Sequence, residues 1–172
     1  MLSSRVTPNA LGMTAHLRKV APLVPLVLAV QDHLGTLATV SGRSMQPTFN
    51  KTANNDLLLL DKLSATNRWY KRGDVLVLAS PHQPDEMITK RVIAFQGDLV
   101  HTRGGNVVHV PRGHIWIEGD NAHNSNDSNA FGPVAQGLVQ ACVRAKIWPL
   151  AEFGPVDSLP PSRDRVVPAI SE

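Results

Sequence analysis

The sequence lacks the residues needed for cross-links, for a metal centre and for a nucleic-acid surface. Its only cysteine in 172 residues is Cys142, so no disulfide can form within the chain. Lys and Arg number 17 against 14 Asp and Glu, and because these charges are scattered along the chain they argue against nucleic acid as a partner. Metal-ligand spacing is also missing, so we expect neither a metal nor any other cofactor. The histidines without paired ligand spacing are His101, His109, His114 and His123.

Acidic residues are absent before Asp32, although three basic residues and several Ser and Thr occur there. This composition is typical of a mitochondrial targeting region, and residues 1–19 are assigned as a basic N-terminal lead. The run Val20–Val30 is wholly apolar but has only eleven residues, whereas a membrane-spanning helix needs about 20. A span is possible if the helix starts earlier and its basic side chains reach the interface.

By its length, the same apolar run could equally be a signal-peptide core or a buried helix. If the run spans the membrane, the basic residues before it place the N-terminus on the side where positive loops are retained, and everything after Asp32 on the opposite side. We therefore predict a membrane anchor over residues 20–36.

Short apolar runs separated by Gly, Pro, Asn and Asp fill the next part of the chain, and no helical period extends through it. The pattern predicts one mostly β domain over residues 37–150. Between two of the runs, Arg103–Asn106 supplies residues that accept positive φ, as a tight hairpin requires. The predicted strands are Leu37–Ser41, Asp56–Leu63, Asp74–Ala79, Met87–Phe95, Leu99–Thr102, Asn106–Val110, His114–Glu118 and Gly137–Trp148.

The C-terminal residues 151–172 contain four prolines among charged residues. Such a segment has little apolar surface to bury. It is predicted to be a mobile tail.

A serine in a tight turn and a lysine at the end of an apolar strand together suggest a hydrolase. Ser44 lies in the segment SGRSMQPT, with Gly42 before it and Pro47 after it. Lys90 ends an extended segment among apolar neighbours, where burial can lower its pKa enough for the amine to act as a base. Strand alternation places Lys90 and Arg91 on opposite faces. A turn serine or a solvated strand lysine alone is common, but their combination favours a catalytic Ser-Lys pair.

Two acidic residues in the later segment GDNAHNSNDS could be mistaken for catalytic carboxylates. Asp120 lies within Gly-Asp-Asn, which is a favoured turn sequence. Asp127 could pair with Arg91 beside the Ser-Lys pair. We therefore expect both carboxylates to support the site rather than to react.

Over roughly residues 40–149 the chain resembles the type I signal peptidases, which are serine peptidases with a Ser-Lys dyad. The segments that carry the resemblance occur in the family's order, and they are closest to its mitochondrial inner membrane members. The resemblance implies an antiparallel β-barrel or sheet domain with an N-terminal membrane helix. These segments are SGRSMQPT, GDVLVLASP, TKRVIAFQGD and VPRGHIWIEGDNAHNSNDSNAFGPV.

The resemblance also implies roles for individual residues. The nucleophile falls on Ser44, the general base on Lys90, and a hydroxyl that orients the lysine on Ser125. The backbone N–H of Ser44 is the first oxyanion donor, but Gly42 stands where some members carry a serine, so the second donor stays open. Asn129 stands where several relatives have an arginine, which implies that an ion pair made there by Asp127 is absent.

The implied substrates are precursor proteins with cleavable N-terminal sorting signals, bound as extended peptides beside a strand edge, with small residues at the scissile bond. The implied location is the mitochondrial inner membrane, with the catalytic domain in the intermembrane space. Membrane lipid and a second, related peptidase subunit are the other implied partners. Alternatives are a bacterial-type signal peptidase, a self-cleaving Ser-Lys regulator, which lacks support because no DNA-binding helix pair is present, and a membrane-tethered β module that binds a partner protein without turnover.

Overall fold

The fold consists of a large antiparallel sheet with a small one beside it. The computed structural model describes residues 35–51 and 55–169. The strands in these ranges are β1 Gly35–Val40, β2 Asp56–Asp61, β3 Val75–Ala79, β4 Met87–Phe95, β5 Leu99–His101, β6 Val107–His109, β7 His114–Glu118, β8 Val134–Ala135, β9 Val139–Trp148, β10 Gly154–Pro155 and β11 Val166–Val167. Two short helices, α1 Lys62–Thr66 and α2 Ser128–Phe131, lie between them. The large sheet has the order β1-β2-β9-β3-β4-β7-β8, with β10 also paired to β9, and the small sheet has the order β11-β5-β6.

The prediction of a mostly β domain is confirmed. All eight predicted strands are present, and their ends differ from the predicted ones by no more than two residues. The second predicted strand ends early because the Asp61 side chain caps α1, accepting a hydrogen bond from the Ser64 N–H at 2.9 Å. The strands β8, β10 and β11 were missed, since two residues are too few to show alternation.

Apolar residues cover both faces of the central strands. Leu76 and Leu78 of β3 pack in one cluster with Cys142, whereas Val75 packs in a second cluster with Phe49. This alternation follows from the two-residue period of a strand. Burial raises the pKa of the Cys142 thiol to about 12, so this cysteine is a small core residue rather than a reactive one.

The predicted hairpin at Arg103–Asn106 is confirmed. It joins β5 to β6 in antiparallel register, and Gly105 has φ +85°. The Thr102 N–H donates to the Asn106 carbonyl at 2.8 Å. This hairpin projects toward the loop that follows β7, where it becomes part of the site described below.

Two predicted domain boundaries are corrected. Gly35 and Thr36, placed in the anchor, belong to β1 and pair with β2; the rest of the predicted anchor and the basic lead lie outside the described residues. The predicted tail is ordered through residue 169, because β10 pairs with β9 and β11 pairs with β5. Val166 is buried in the cluster beneath the small sheet. Among the residues described, none of the helices has the length and apolar character needed to cross a membrane.

Candidate active site

Ser44 sits on a turn directly after the edge strand β1. The turn is fixed by its apolar neighbours, because Met45 and Phe49 are both buried in the core. The Phe49 N–H donates to the Met45 carbonyl at 3.0 Å. Met45 is therefore a core residue. Its burial holds the neighbouring serine in one place.

The backbone around Gly42 is held by hydrogen bonds from Asn50, a residue that the sequence did not single out. Gly42 has φ +89°, a conformation that favours glycine. Its carbonyl accepts a hydrogen bond from the Asn50 side-chain amide at 2.8 Å, and the Val40 carbonyl accepts a second at 3.2 Å. Asn50 is buried and itself has φ 55°. Its one sequence signal is that Asn tolerates this backbone region better than most residues do.

Lys90 lies in β4 and is 4% exposed. Its cross-strand partner is Leu76, whereas that of Arg91 is Val75, so the two basic side chains lie on opposite faces as the sequence predicts. Burial lowers the pKa of Lys90 below the ordinary lysine value, and the carboxylates of Asp127, Glu86 and Asp120 oppose this with a smaller effect. An amine in this environment gives up its proton more readily than a solvated lysine does.

Ser44 and Lys90 line the same cleft. Its volume is about 960 Å³, and its walls come from the end of β1 with the following turn and from the first residues of β4. The loop between β3 and β4, α1, α2 and parts of β2, β3 and β9 also line it. Within residues 35–51 and 55–169, no group of three or more His, Cys, Asp or Glu side chains is placed to hold a metal ion.

Ser125 packs against the backbone beside Ser44. A Cβ built on Gly119 would lie 2.5 Å from the Ser44 carbonyl oxygen and would also overlap the Ser125 hydroxyl. In the described part of the chain the buried Ser125 Oγ has no hydrogen-bond partner of ordinary geometry, although it helps to lower the pKa of Asp127. The hydroxyl therefore lies near that carboxylate. Asn121 of the same loop also holds the serine turn, since its N–H donates to the Ser44 carbonyl at 3.0 Å.

Gly119→Ala is expected to disturb this packing. The added methyl group has no space between Ser44 and Ser125, so the serine turn or the loop must move, and we expect kcat/KM for peptide cleavage to fall by about 10- to 100-fold. Gly137→Ala is the matched control, since a Cβ there meets nothing within 4 Å. Equal activity of the two variants would show that the close approach at Gly119 does not matter.

Arg91 anchors the loop to the sheet by pairing with Asp120, and the predicted pair of Arg91 with Asp127 is wrong. The guanidinium donates from Nε and Nη2 to the two Asp120 carboxylate oxygens at 2.7 and 2.6 Å. It also donates to the Gly73 carbonyl. The Asp120 carboxylate accepts a further hydrogen bond from Thr48 in the serine turn. This network ties the turn, the loop and the strand that carries Lys90 to one another.

Arg91→Met is expected to lower the free energy of unfolding by about 3 kcal/mol, because it leaves a largely buried carboxylate without its cation. The side chains of Arg91 and Asp120 are only 4% and 14% exposed. Arg144→Met removes the same group from an ion pair whose side chains are 40% and 26% exposed, and should cost about 1 kcal/mol or less. Urea unfolding of both variants checks the difference, and equal losses would contradict the assigned role of Arg91.

Asp127 is a buried carboxylate with its own set of donors. It caps α2 by accepting from the Asn129 N–H and side-chain amide at 3.1 and 2.9 Å. It also accepts from the Gly119 N–H at 2.9 Å. Burial raises its pKa, but these hydrogen bonds outweigh that effect and leave the pKa below its ordinary value. A cation reaches Asp127 from a different part of the chain, because Arg103 approaches its carboxylate at 3.1 Å from the β5–β6 turn.

A turn serine and a buried lysine on the wall of one cleft, at the edge of an antiparallel sheet, have the chemistry of a serine hydrolase. Comparison with known proteins narrows this class to the peptidases. A family profile described as "Signal peptidase, peptidase S26" matches residues 13–109 and 105–148. The chain belongs to this family, and its function is of the signal-peptidase type.

Several curated relatives are similar over most of the chain. Mitochondrial inner membrane protease subunit 2 of Schizosaccharomyces pombe is 43% identical over 140 residues, which cover 78% of this chain and 76% of the relative. The Mus musculus subunit 2 is 42% identical over 145 residues, covering 81% and 83%. Subunit 1 of Homo sapiens is 38% identical over 128 residues, covering 72% and 75%. A solved signal peptidase I from Enterococcus faecalis V583 overlaps 42% of this chain and 95% of its own, with 22% identity and a TM-score of 0.37.

Proposed function

We propose that the protein is a membrane-anchored serine endopeptidase that removes N-terminal sorting signals, with Ser44 as nucleophile and Lys90 as general base. The observation that carries this proposal is the burial of Lys90 in the wall of the cleft that Ser44 also lines. Burial lowers the pKa of Lys90, so its amine is neutral at a lower pH than that of a solvated lysine and can then accept a proton. A serine hydroxyl needs such a base before it can attack a peptide bond.

In the proposed reaction the Ser44 hydroxyl oxygen attacks the peptide carbonyl while Lys90 accepts the hydroxyl proton. Lys90 then delivers this proton to the leaving amine as the peptide bond breaks, which leaves an ester on Ser44. A water molecule next loses a proton to Lys90 and attacks the ester, and the proton returns to the serine oxygen as the acid product departs. The Ser44 N–H is the first donor to the tetrahedral oxygen. Ser125 orients the lysine, its hydroxyl being buried close to both Ser44 and Asp127.

The cleft offers strand edges for an extended substrate. β1 is the terminal strand of the large sheet and pairs with β2 on one side. β4 pairs with β7 only from Arg91 onward, so within the described part of the chain its residues 87–90 have one edge without a strand partner. A peptide lying between these edges would gain backbone hydrogen bonds, and its carbonyl would approach the N-terminal half of β4, where Lys90 lies.

The proposed setting follows the relatives, which are named as subunits 1 and 2 of mitochondrial inner membrane proteases. We place this chain at the mitochondrial inner membrane, with its catalytic domain in the intermembrane space. We also propose that it assembles with a second, related peptidase subunit. Its substrates in this setting are precursor proteins that meet the cleft at the membrane surface.

Trapping the acyl-enzyme tests the proposed chemistry. The full-length protein is mixed with a peptide ester that has small residues at the scissile bond, quenched in acid and mapped by mass spectrometry. The expected result is release of the alcohol together with an acyl group on Ser44, since esters accumulate this intermediate when acylation outpaces hydrolysis. Turnover with the acyl group on another side chain would disprove the assignment of Ser44. Binding without release would instead support a non-catalytic β module.

A further inference from the structure

Arg103 reaches the active-site loop from a separate part of the fold. It lies in the β5–β6 turn, and its backbone N–H donates to the Asn129 side-chain oxygen at 2.9 Å. Its Nη1 lies 3.1 Å from an Asp127 carboxylate oxygen. Its Nη2 donates to the Gly119 carbonyl at 2.9 Å and lies 3.1 Å from the Glu118 carboxylate. Through its backbone N–H and its side chain, Arg103 thus joins α2, the capping residue of α2 and the loop after β7.

The contacts of Arg103 bring a positive charge to the buried Asp127 carboxylate. Asp127 is 1% exposed, and its other donors are neutral amides of Gly119 and Asn129. Only Arg103 brings a positive charge to this carboxylate among the ion pairs of the described residues. The same guanidinium also fixes the Gly119 carbonyl, whose residue packs directly against Ser44 and Ser125.

We propose that Arg103 is a positioning residue of the peptidase site, which compensates the buried Asp127 carboxylate and holds the Gly119 backbone against the serine turn. This inference rests on the proposed function of Ser44 and Lys90. It means that the hairpin of the small sheet is part of the catalytic apparatus although it contributes no wall to the cleft. Asn129 itself carries no charge. The cation that pairs with Asp127 is Arg103, which lies 26 positions before Asn129 in the sequence.

The charge of Arg103 has a consequence for the pH dependence of catalysis. Asp127 is the carboxylate that raises the pKa of Lys90 most, followed by Glu86 and Asp120. While Arg103 neutralises Asp127, that carboxylate stabilises the Lys90 ammonium less. Removing the guanidinium should therefore favour protonated Lys90, and turnover should then require a higher pH. Glu118 keeps a second cation in the variant, because Arg165 approaches it at 2.6 Å.

The test is the pH profile of kcat/KM for full-length Arg103→Met with an internally quenched peptide that has small residues at the scissile bond. We expect the midpoint of the rising limb to move up by about 0.5 to 1 pH unit and the plateau to fall by about tenfold. Arg103→Lys retains the positive charge and should return the midpoint to the wild-type value. A role in folding alone would lower the plateau of both variants without moving the midpoint, and that result would overturn the inference.

Arg165→Met is the matched control. Arg165 belongs to the same cluster, since it also pairs with Glu118, and its side chain is 33% exposed against 27% for Arg103. It makes no ion pair with Asp127, so its loss should leave the midpoint in place. An equal shift in Arg165→Met would show a general charge effect and refute the specific role. Failure of the proposed function is distinguishable, because wild-type turnover would then survive the loss of Ser44 or Lys90.

Discussion

Ser44→Ala is expected to lose turnover while keeping the fold. Without the hydroxyl no acyl-enzyme can form, and kcat/KM should fall by at least about 1,000-fold. The fold should persist because the turn is held by the buried side chains of Met45 and Phe49 and by the bond from the Asn121 N–H to the Ser44 carbonyl. Alanine keeps that carbonyl and adds no volume.

Cleavage of the quenched peptide and thermal unfolding are measured together for this variant. Ser162→Ala serves as the control, since it removes the same hydroxyl from an exposed position in the C-terminal segment and should match the wild type. A Ser44→Ala variant that is folded and cleaves at the wild-type rate would remove the proposed nucleophile.

Lys90→Met should lose turnover to a similar extent, at least about 1,000-fold, because no other base is assigned to the serine hydroxyl. Lys90→Arg should fail as well, since a guanidinium does not deprotonate in this pH range. For the wild type, kcat/KM should rise with pH as Lys90 loses its proton. The midpoint should lie below the ordinary lysine pKa of 10.5, because burial lowers the pKa of this amine.

Lys90→Met should lower activity without lowering stability. With a folded-state pKa below 10.5, Lys90 binds a proton more tightly in the unfolded chain. Wild-type stability contributed by this group is therefore complete above pH 10.5 and declines as the pH falls toward the folded-state pKa. Lys90→Met lacks this loss and should unfold at an equal or higher urea concentration near neutral pH. Catalytic activity that survives in a folded Lys90→Met protein would contradict the account.

The sequence was sufficient for the strands and for the two residues proposed to react. Short apolar runs bounded by Gly, Pro, Asn and Asp, and a Gly-rich turn at Arg103–Asn106, are local signals, so the strands and the hairpin could be predicted closely. Ser44 and Lys90 were found because each lies in a local motif, a turn and an apolar strand. Their joint position in one cleft depended on the order of the motifs rather than on any contact visible in the sequence.

The ion pairs could not be predicted, because they join residues far apart in the chain. The loop after β7 offers Arg91 two possible carboxylate partners, Asp120 and Asp127. The path of the loop brings Asp120 to Arg91, and the sequence does not reveal that path. Arg103 faces Asp127 because the small sheet turns its hairpin toward α2. The prediction of a mobile C-terminal tail failed for a similar reason. Val166 and Val167 are ordered by pairing with β5, which is more than 60 positions earlier in the chain.

The central claim is that the Lys90 amine is neutral in the working enzyme, and its own titration tests this most directly. Full-length protein with ¹⁵N- and ¹³C-labelled lysine can be titrated by NMR, and the Lys90 signal assigned by its loss in Lys90→Met. We expect a midpoint below the ordinary value of 10.5 that matches the midpoint of the kcat/KM profile. A Lys90 signal that titrates at or above 10.5, together with the exposed lysines, would contradict it.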